Sequence, residues 1–272
     1  MFLTAIAAGI VGAIVGIGGG LLVTPVLTLI FGVDIRLAIG ASVVSIIATS
    51  SGGAAAYVRD RVTNIRVGMF LEITTTVGAI TGAAISAYIN SQTLFALFGV
   101  ILLLSVIPSF RKRKEELPKG VENDGWSRKL RLSTSYPDMR LKKEVPYNVT
   151  HTPAGLSIMY AAGVISGLLG IGSGAFKVLG MEGAMRLPMK VSTTTSNFMI
   201  GVTAAASAGI YFVRGDVNPF IVAPIVLGIL GGANIGTRLL LKMKNTTIRY
   251  VFIVVLFGIA IEMIAKSLGV PI

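Results

Sequence analysis

The 272-residue sequence contains no cysteine. That excludes a disulfide framework, a thiolate metal site and a cysteine nucleophile. Histidine occurs once, at His151, just before an apolar run. One imidazole argues against a histidine-based metal site, and no Ser-His-Asp set can be assembled around it. The carboxylates are scattered, and the glycine-rich stretches lack the Lys-Ser/Thr ending of a P-loop. No βαβ pattern surrounds them, so no dinucleotide fingerprint exists. Charged residues make up 13% of the chain, against about 25% in soluble domains. The expectation is a protein that is not an enzyme, with no cofactor and no metal.

What the sequence has in abundance is apolar length. Hydrophobic residues are 53% and mean hydropathy is +0.81. A run of about 20 apolar residues spans the hydrocarbon core of a bilayer. Eight candidate segments follow: 3–31, 38–58, 67–89, 92–110, 154–181, 187–213, 217–237 and 246–269. This predicts an all-α, multi-pass integral protein of the cell membrane. The first Lys or Arg is Arg36, and the first apolar run is too long for a signal-peptide core. It reads as a membrane segment that stays.

The net charge is +12. In a soluble protein that would suggest nucleic acid. In a membrane protein, basic residues collect in cytoplasmic loops, so nucleic acid is not an expected partner. The expected partners are membrane lipid and a small anion, with homodimerisation left open. Composition shifts sharply at 111–152, which holds eleven Lys/Arg and six Asp/Glu, the run Arg111-Lys112-Arg113-Lys114 and the only tryptophan, Trp126. It divides the chain into a membrane repeat over 1–110, a basic cytoplasmic linker over 111–152 and a second repeat over 153–272. The linker is expected to be partly or wholly disordered, with anionic lipid headgroups as its alternative binding role.

The halves resemble each other. A shift of 154 residues aligns 9–87 with 163–241 without a gap and gives 14 identities in 79 pairs. Gly16-Ile17-Gly18-Gly19-Gly20 falls on Gly170-Ile171-Gly172-Ser173-Gly174. Ser42 falls on Ser196, Thr49 on Thr203, Tyr57 on Tyr211 and Asn64 on Asn218. Transporters are often built from such repeats, with the substrate between them.

Glycine clusters inside apolar runs let the backbone leave helical geometry. A break at membrane depth is tolerated only where it is buried in protein or lines a wet cavity. It exposes free N–H groups and the positive end of a half-helix dipole, which suit an anion. The competing reading is close helix packing through small residues. The candidate substrate ligands are therefore Gly16, Gly18, Gly19 and Gly20, and Gly170, Gly172, Ser173 and Gly174. A hydroxyl-rich pair adds Ser42, Thr195, Ser196 and Asn197, unless these side chains bond to helix carbonyls instead.

Few charges lie in the runs, among them Glu72, Lys177 and Glu262, with Arg238 closing the seventh. Such charges are costly and usually functional. Arg238 can snorkel to the interface, and Glu72 lies early enough in its run to do the same. Lys177 follows the second glycine break and aligns with Val23. It is either an anion ligand or half of an ion pair with Glu72, Glu182 or Glu262. Glu72 is a candidate coupling residue.

Taken together, these residues resemble a known family. Gly16-Ile-Gly-Gly-Gly-Leu-Leu-Val-Thr-Pro25, its echo Gly170-Ile-Gly-Ser-Gly, and the pairs Ala41-Ser42 and Thr195-Ser196 resemble the doubled signature of the TauE/SafE sulfite exporter family, also described as sulfonate permeases. The resemblance covers the chain outside 111–152. It implies a secondary transporter exporting sulfite, a sulfonate or a related organosulfur anion on an ion gradient. The alternatives are a passive anion channel and an uptake permease for another carboxylate or sulfonate. The sequence departs from the pattern in its long basic loop, in Ser173 for glycine and in Ala41 for threonine.

Two topologies compete. Eight full spans in parallel repeats place 15 Lys/Arg inside and 7 outside. If segments one and five are re-entrant hairpins broken at their glycines, each half crosses three times and the repeats are inverted. The count becomes 20 inside and 2 outside. The positive-inside rule prefers the inverted arrangement.

Overall fold

The computed structural model describes residues 1–15, 20–59, 61–110, 120–138, 143–240 and 245–269. The described residues are mostly helical. In chain order α1 is Phe2–Val15, α2 Gly20–Pro25, α3 Ile35–Arg59, α4 Ile65–Ser86 and α5 Ser91–Phe110. Then come α6 (Gly125–Lys129), β1 (Thr134–Asp138) and β2 (Lys143–Tyr147). The second half holds α7 (Thr152–Leu169), α8 (Gly174–Leu179), α9 (Met189–Val213), α10 (Pro219–Leu240) and α11 (Asn245–Ser267). A π-helical turn extends α2 over Val26–Ile30, and another extends α8 over Gly180–Ala184.

Among the described residues, four stretches are long and apolar enough to cross a membrane: Ile65–Ser86, Thr152–Leu169, Met189–Val213 and Pro219–Gly236. Shorter apolar stretches lie at Phe2–Gly12, Gly20–Ile30, Ile35–Ser51 and Ser91–Val106. On α4 the large apolar residues Met69, Ile73, Val77 and Ile80 are exposed. Their spacing of three or four places them on one helix face, the arrangement of a helix that faces lipid.

Element bounds recur between the halves. The π turns start at 26 and 180, the long helices at 35 and 189, and the next at 65 and 219. Packing is reciprocal. Helix α4 lies along α7 as α1 lies along α10, while α3 packs on α9 and α5 on α11. Small residues permit this. A Cβ on Gly163 of α7 would meet the carbonyl oxygen of Thr75 at 2.2 Å. A Cβ on Gly9 of α1 would meet the carbonyl oxygen of Ile229 at 2.6 Å. Backbones approach this closely only where a side chain is missing.

The fifth apolar segment is not a continuous helix. In the second half, α7 stops at Leu169 and α8 starts at Gly174. The chain then runs back beside α7. Gly180 lies against Ile158 and Met159, Gly155 lies against Met185, and the Thr150 amide donates to the Met185 carbonyl. So α7, α8 and the π turn form a helical hairpin with both ends at one end of the bundle. The first-half break, at Gly16, Gly18 and Gly19, lies outside the described residues.

The connections sort to two ends. At one end the Asn64 amide donates to Thr195 Oγ1, its Nδ2 donates to Leu132 O and Tyr147 Oη, and Thr194 Oγ1 donates to Val62 O. At the other end Arg36 donates to the carbonyls of Ala87 and Ile89, and Arg214 donates to Ala83 O. Arg61, Arg66, Arg128, Lys129, Arg131, Lys143, Arg186 and Lys190 belong to the first end. Arg36, Arg214 and Lys266 belong to the second.

The expected disorder of the linker is corrected for 120–138 and 143–152. Asp124 caps α6, and β1 pairs antiparallel with β2, Tyr136 opposite Val145. Tyr136, Val145 and Tyr147 bury themselves with Leu132, Val67, Met159, Met185 and Val191. The hairpin also amends the all-α expectation. Its strands have five residues each and a proline apiece, a pattern too short and too interrupted to read as strand.

Candidate functional site

The break at 170–173 is built from unusual backbone. Gly170, Gly172 and Ser173 have φ of +63°, +72° and +44°. Glycine adopts this region freely. Ser173 does not, and the conformation costs it roughly 1–2 kcal/mol. The Ser173 hydroxyl is buried with no hydrogen-bond partner among the described residues. It lines a small recess with Leu21, Ile171 and Gly174. The first amides of α8 have no partner within their own helix.

Ser42 joins the start of α2 to the break at 170–173. Its hydroxyl lies 2.6 Å from the carbonyl oxygen of Gly20 and 2.7 Å from that of Gly170. One hydroxyl proton can serve only one carbonyl at a time. Ser196 donates to the Gly174 carbonyl at 3.1 Å, the same pairing as Ser42 with Gly20. Isoleucines repeat it too, since Gly20 abuts Ile46 and Gly174 abuts Ile200. The two serines are thus struts at the starts of α2 and α8, with their protons committed to backbone carbonyls.

Not every candidate joins them. Thr195 Oγ1 holds Asn64, whose side chain caps α4 at the Val67 amide. Asn197 is half-buried on α9.

One turn past the break, Lys177 is fully buried. Its Nζ donates to Thr203 Oγ1 at 2.5 Å. Thr203 reaches Glu72 Oε1 at 2.6 Å, and Thr76 donates to the same oxygen at 3.2 Å. Glu72 is itself buried, so it does not snorkel, and its Oε2 has no partner among the described residues. Of the three carboxylates considered for Lys177, Glu72 is the one linked to it, through a single hydroxyl. Glu262 is exposed on α11, and Glu182 lies half-buried in the second π turn. The side chain of Arg238 lies outside the described residues.

This chain of polar groups joins Glu72 of the first half to Lys177 and Thr203 of the second, and the duplication does not repeat it. The positions aligned with Lys177, Thr203 and Glu72 are Val23, Thr49 and Val226. Val23 is buried among apolar residues that include Leu27 and Ala41, with Val226 packed on the same cluster. The sequence does not single out Thr203 or Thr76 as candidates. The available signal for Thr203 is its identity with Thr49 in the alignment of the halves.

Comparison with known proteins decides the class. The family described as sulfite exporter TauE/SafE matches residues 1–263. The chain belongs to that family. Proteins similar to it include the probable membrane transporter protein YunE of Bacillus subtilis (strain 168), 27% identical over 269 residues, covering 96% of this chain and 95% of YunE. Another is the probable membrane transporter protein YdhB of the same organism, 27% identical over 251 residues and covering 92% and 91%. A probable membrane transporter protein of Xylella fastidiosa (strain Temecula1 / ATCC 700964) is 24% identical over 265 residues, covering 95% and 93%. No solved structure matches. As a TauE/SafE member with these apolar helices, the chain is a membrane transporter.

Proposed function

We propose that this protein is a secondary transporter of a small sulfur oxyanion or organosulfur anion, such as sulfite or a sulfonate, and that Lys177 is the cationic anchor for the anion. The observation that carries the reading is the full burial of Lys177 one turn past the broken helix. An unpaired ammonium in hydrocarbon costs roughly 3 kcal/mol on insertion scales. The duplicated scaffold does not demand it, because Val23 fills the equivalent place. A charge kept where the fold works without one points to the cargo. Gly20 and Gly170, drawn together by Ser42, would present the backbone around the anion.

The same reading takes the halves as inverted repeats, crossing the membrane three times each, with α7–α8 and α1–α2 re-entrant. The end that carries the linker is cytoplasmic. It gathers most of the described basic residues, as the positive-inside rule expects. Export is the direction the family description suggests, on an ion gradient.

The test is flux in proteoliposomes with a panel of small anions. Saturable sulfite or sulfonate exchange, absent in Lys177→Met, is expected. Equal, unsaturable flux of chloride, sulfate and sulfonate would replace the carrier with a channel.

A further inference from the structure

We infer that Glu72 is a proton-binding site that moves one proton with each monovalent anion, so that transport is electroneutral. The inference rests on the anion-carrier reading above and names the coupling ion that reading leaves open. Its basis is the geometry of three side chains. Lys177, Thr203 and Glu72 are each almost completely withdrawn from solvent. One hydroxyl joins the cation to the carboxylate. Glu72 Oε2 is buried and has no partner among the described residues. A buried carboxylate oxygen whose lone pairs accept no hydrogen bond is a place for a proton.

Charge balance does the rest. With no cargo present, the ammonium and the carboxylate sum to zero. A monovalent anion that reaches Lys177 adds one negative charge to an enclosed site. Removing an uncompensated charge from water costs several kcal/mol even after relaxation. Neutrality returns if Glu72 takes up one proton as the anion arrives and releases it as the anion leaves. The carboxylate stands in for the cargo when the site is empty. Thr203 turns its O–H away from Glu72, toward the Met199 carbonyl that it also reaches at 2.8 Å.

Among the described residues around Lys177, Glu72 is the carboxylate linked to it. On α8 the charged residue is Lys177 itself. Helix α7 carries no Asp, Glu, Lys or Arg, and its Tyr160 is exposed. On α9, Lys190 pairs with Asp138 at the linker end, and Tyr211 bonds to the Gly167 carbonyl near the other end. Beyond α9, Arg214 pairs with Asp216. On α4, Arg66 donates to the Arg131 carbonyl. The linker groups Asp124, Tyr136 and Tyr147 lie past Asn64, at the end of the bundle, and Glu182 sits in the π turn.

The experiment uses the full chain in proteoliposomes with radiolabelled methanesulfonate, whose charge does not titrate, so that any proton moved is the protein's. Methanesulfonate exchange at zero gradient tests the carrier reading. Its absence, with no other anion of the panel exchanged, would remove that reading and this inference with it. If exchange is present, the wild type is expected to accumulate methanesulfonate toward the alkaline side under a pH gradient, with about one proton per anion. A potassium–valinomycin potential alone is expected to drive none. Glu72→Gln is expected to lose proton movement, its remaining net flux becoming responsive to voltage. Voltage-driven, proton-free transport by the wild type would overturn the inference without touching the carrier reading. So would a Glu72→Gln variant that still moves one proton per anion. If the Glu72→Gln chain fails to fold, the wild-type proton count and voltage response still decide the matter.

Discussion

Thr150 and Met185 lie 35 positions apart and meet at the mouth of one helical hairpin, where the Thr150 amide donates to the Met185 carbonyl at 3.3 Å. On the inverted topology proposed above, a segment that leaves and returns to one end of the bundle is re-entrant. The first half, with α1, α2 and its π turn, is expected to do the same from the opposite side. The native chain lacks cysteine, so single cysteines give a clean readout. Thr4→Cys is expected to react with an impermeant maleimide from outside the cell, and Arg186→Cys only after permeabilisation. Labelling of Thr4→Cys from the cytoplasmic side alone would return the chain to eight full spans.

Lys177→Met removes the charge and keeps the length. Normal insertion is expected, with anion transport lowered by at least about tenfold, the equivalent of roughly 1.4 kcal/mol. Lys177→Arg places a larger head in a fully buried site and should lose most of the rate too. Wild-type kinetics in Lys177→Met would leave backbone amides as the anion's ligands.

Gly163→Val tests the helix contact. The added side chain would drive into the Thr75 carbonyl, already 2.2 Å from a bare Cβ. Overpacking typically costs about 1–3 kcal/mol, and here the obstacle is backbone, which yields less than a side chain. A clear drop in the melting temperature of the detergent-purified protein is expected. Gly209→Ala, where nothing lies within 4 Å, is the control and should melt as wild type.

Asp124 fastens the linker. It accepts from the Ser127 amide at 2.7 Å, from the Thr152 amide at 2.6 Å and from the Thr152 hydroxyl. Partial burial works against its charge, but these hydrogen bonds, with His151 nearby, outweigh that and hold its carboxyl below the ordinary aspartate range. A depressed carboxylate contributes stability above its unfolded pKa and loses it as pH falls through the folded one. Linker docking should therefore loosen on the acid side of the usual aspartate range. Trp126, the only tryptophan, packs on Phe70 with ring centroids 6.2 Å apart. Its emission should shift red on acidification, and Asp124→Asn should show the shifted spectrum already at neutral pH. An unchanged Asn variant would mean the linker is held without the charge.

Much of this is legible in the sequence. The apolar runs locate the helices, because twenty or so residues without charge have one stable place, the bilayer. The glycine clusters locate the break at 170–173, because three of its four residues have positive φ. The ungapped shift of 154 anticipates the recurring element bounds. What stays hidden is contact across the chain. No pattern near Glu72 shows that Thr203 stands between it and Lys177. Ser42 stands out by its place in the alignment, but that it touches both Gly20 and Gly170 depends on how the halves dock. The linker misleads for a different reason. Its charges face solvent, while a few aromatic and branched residues such as Tyr136 and Val145 bury themselves against α4 and α7, too few to lift the segment out of a disordered composition.

The reciprocal helix packing bears on synthesis. The Ile6 region of α1 leaves the ribosome long before α10, and it settles against Gly232 on α10. At about 5–20 residues per second, α1 waits on the order of 10–40 s for that surface to exist. For that interval Gly9 faces lipid or the insertion machinery with its backbone groove empty. Truncation before α10 would leave it so permanently. Nascent chains cut short in the second half should therefore be substrates for membrane quality control even though every helix of the first half is present.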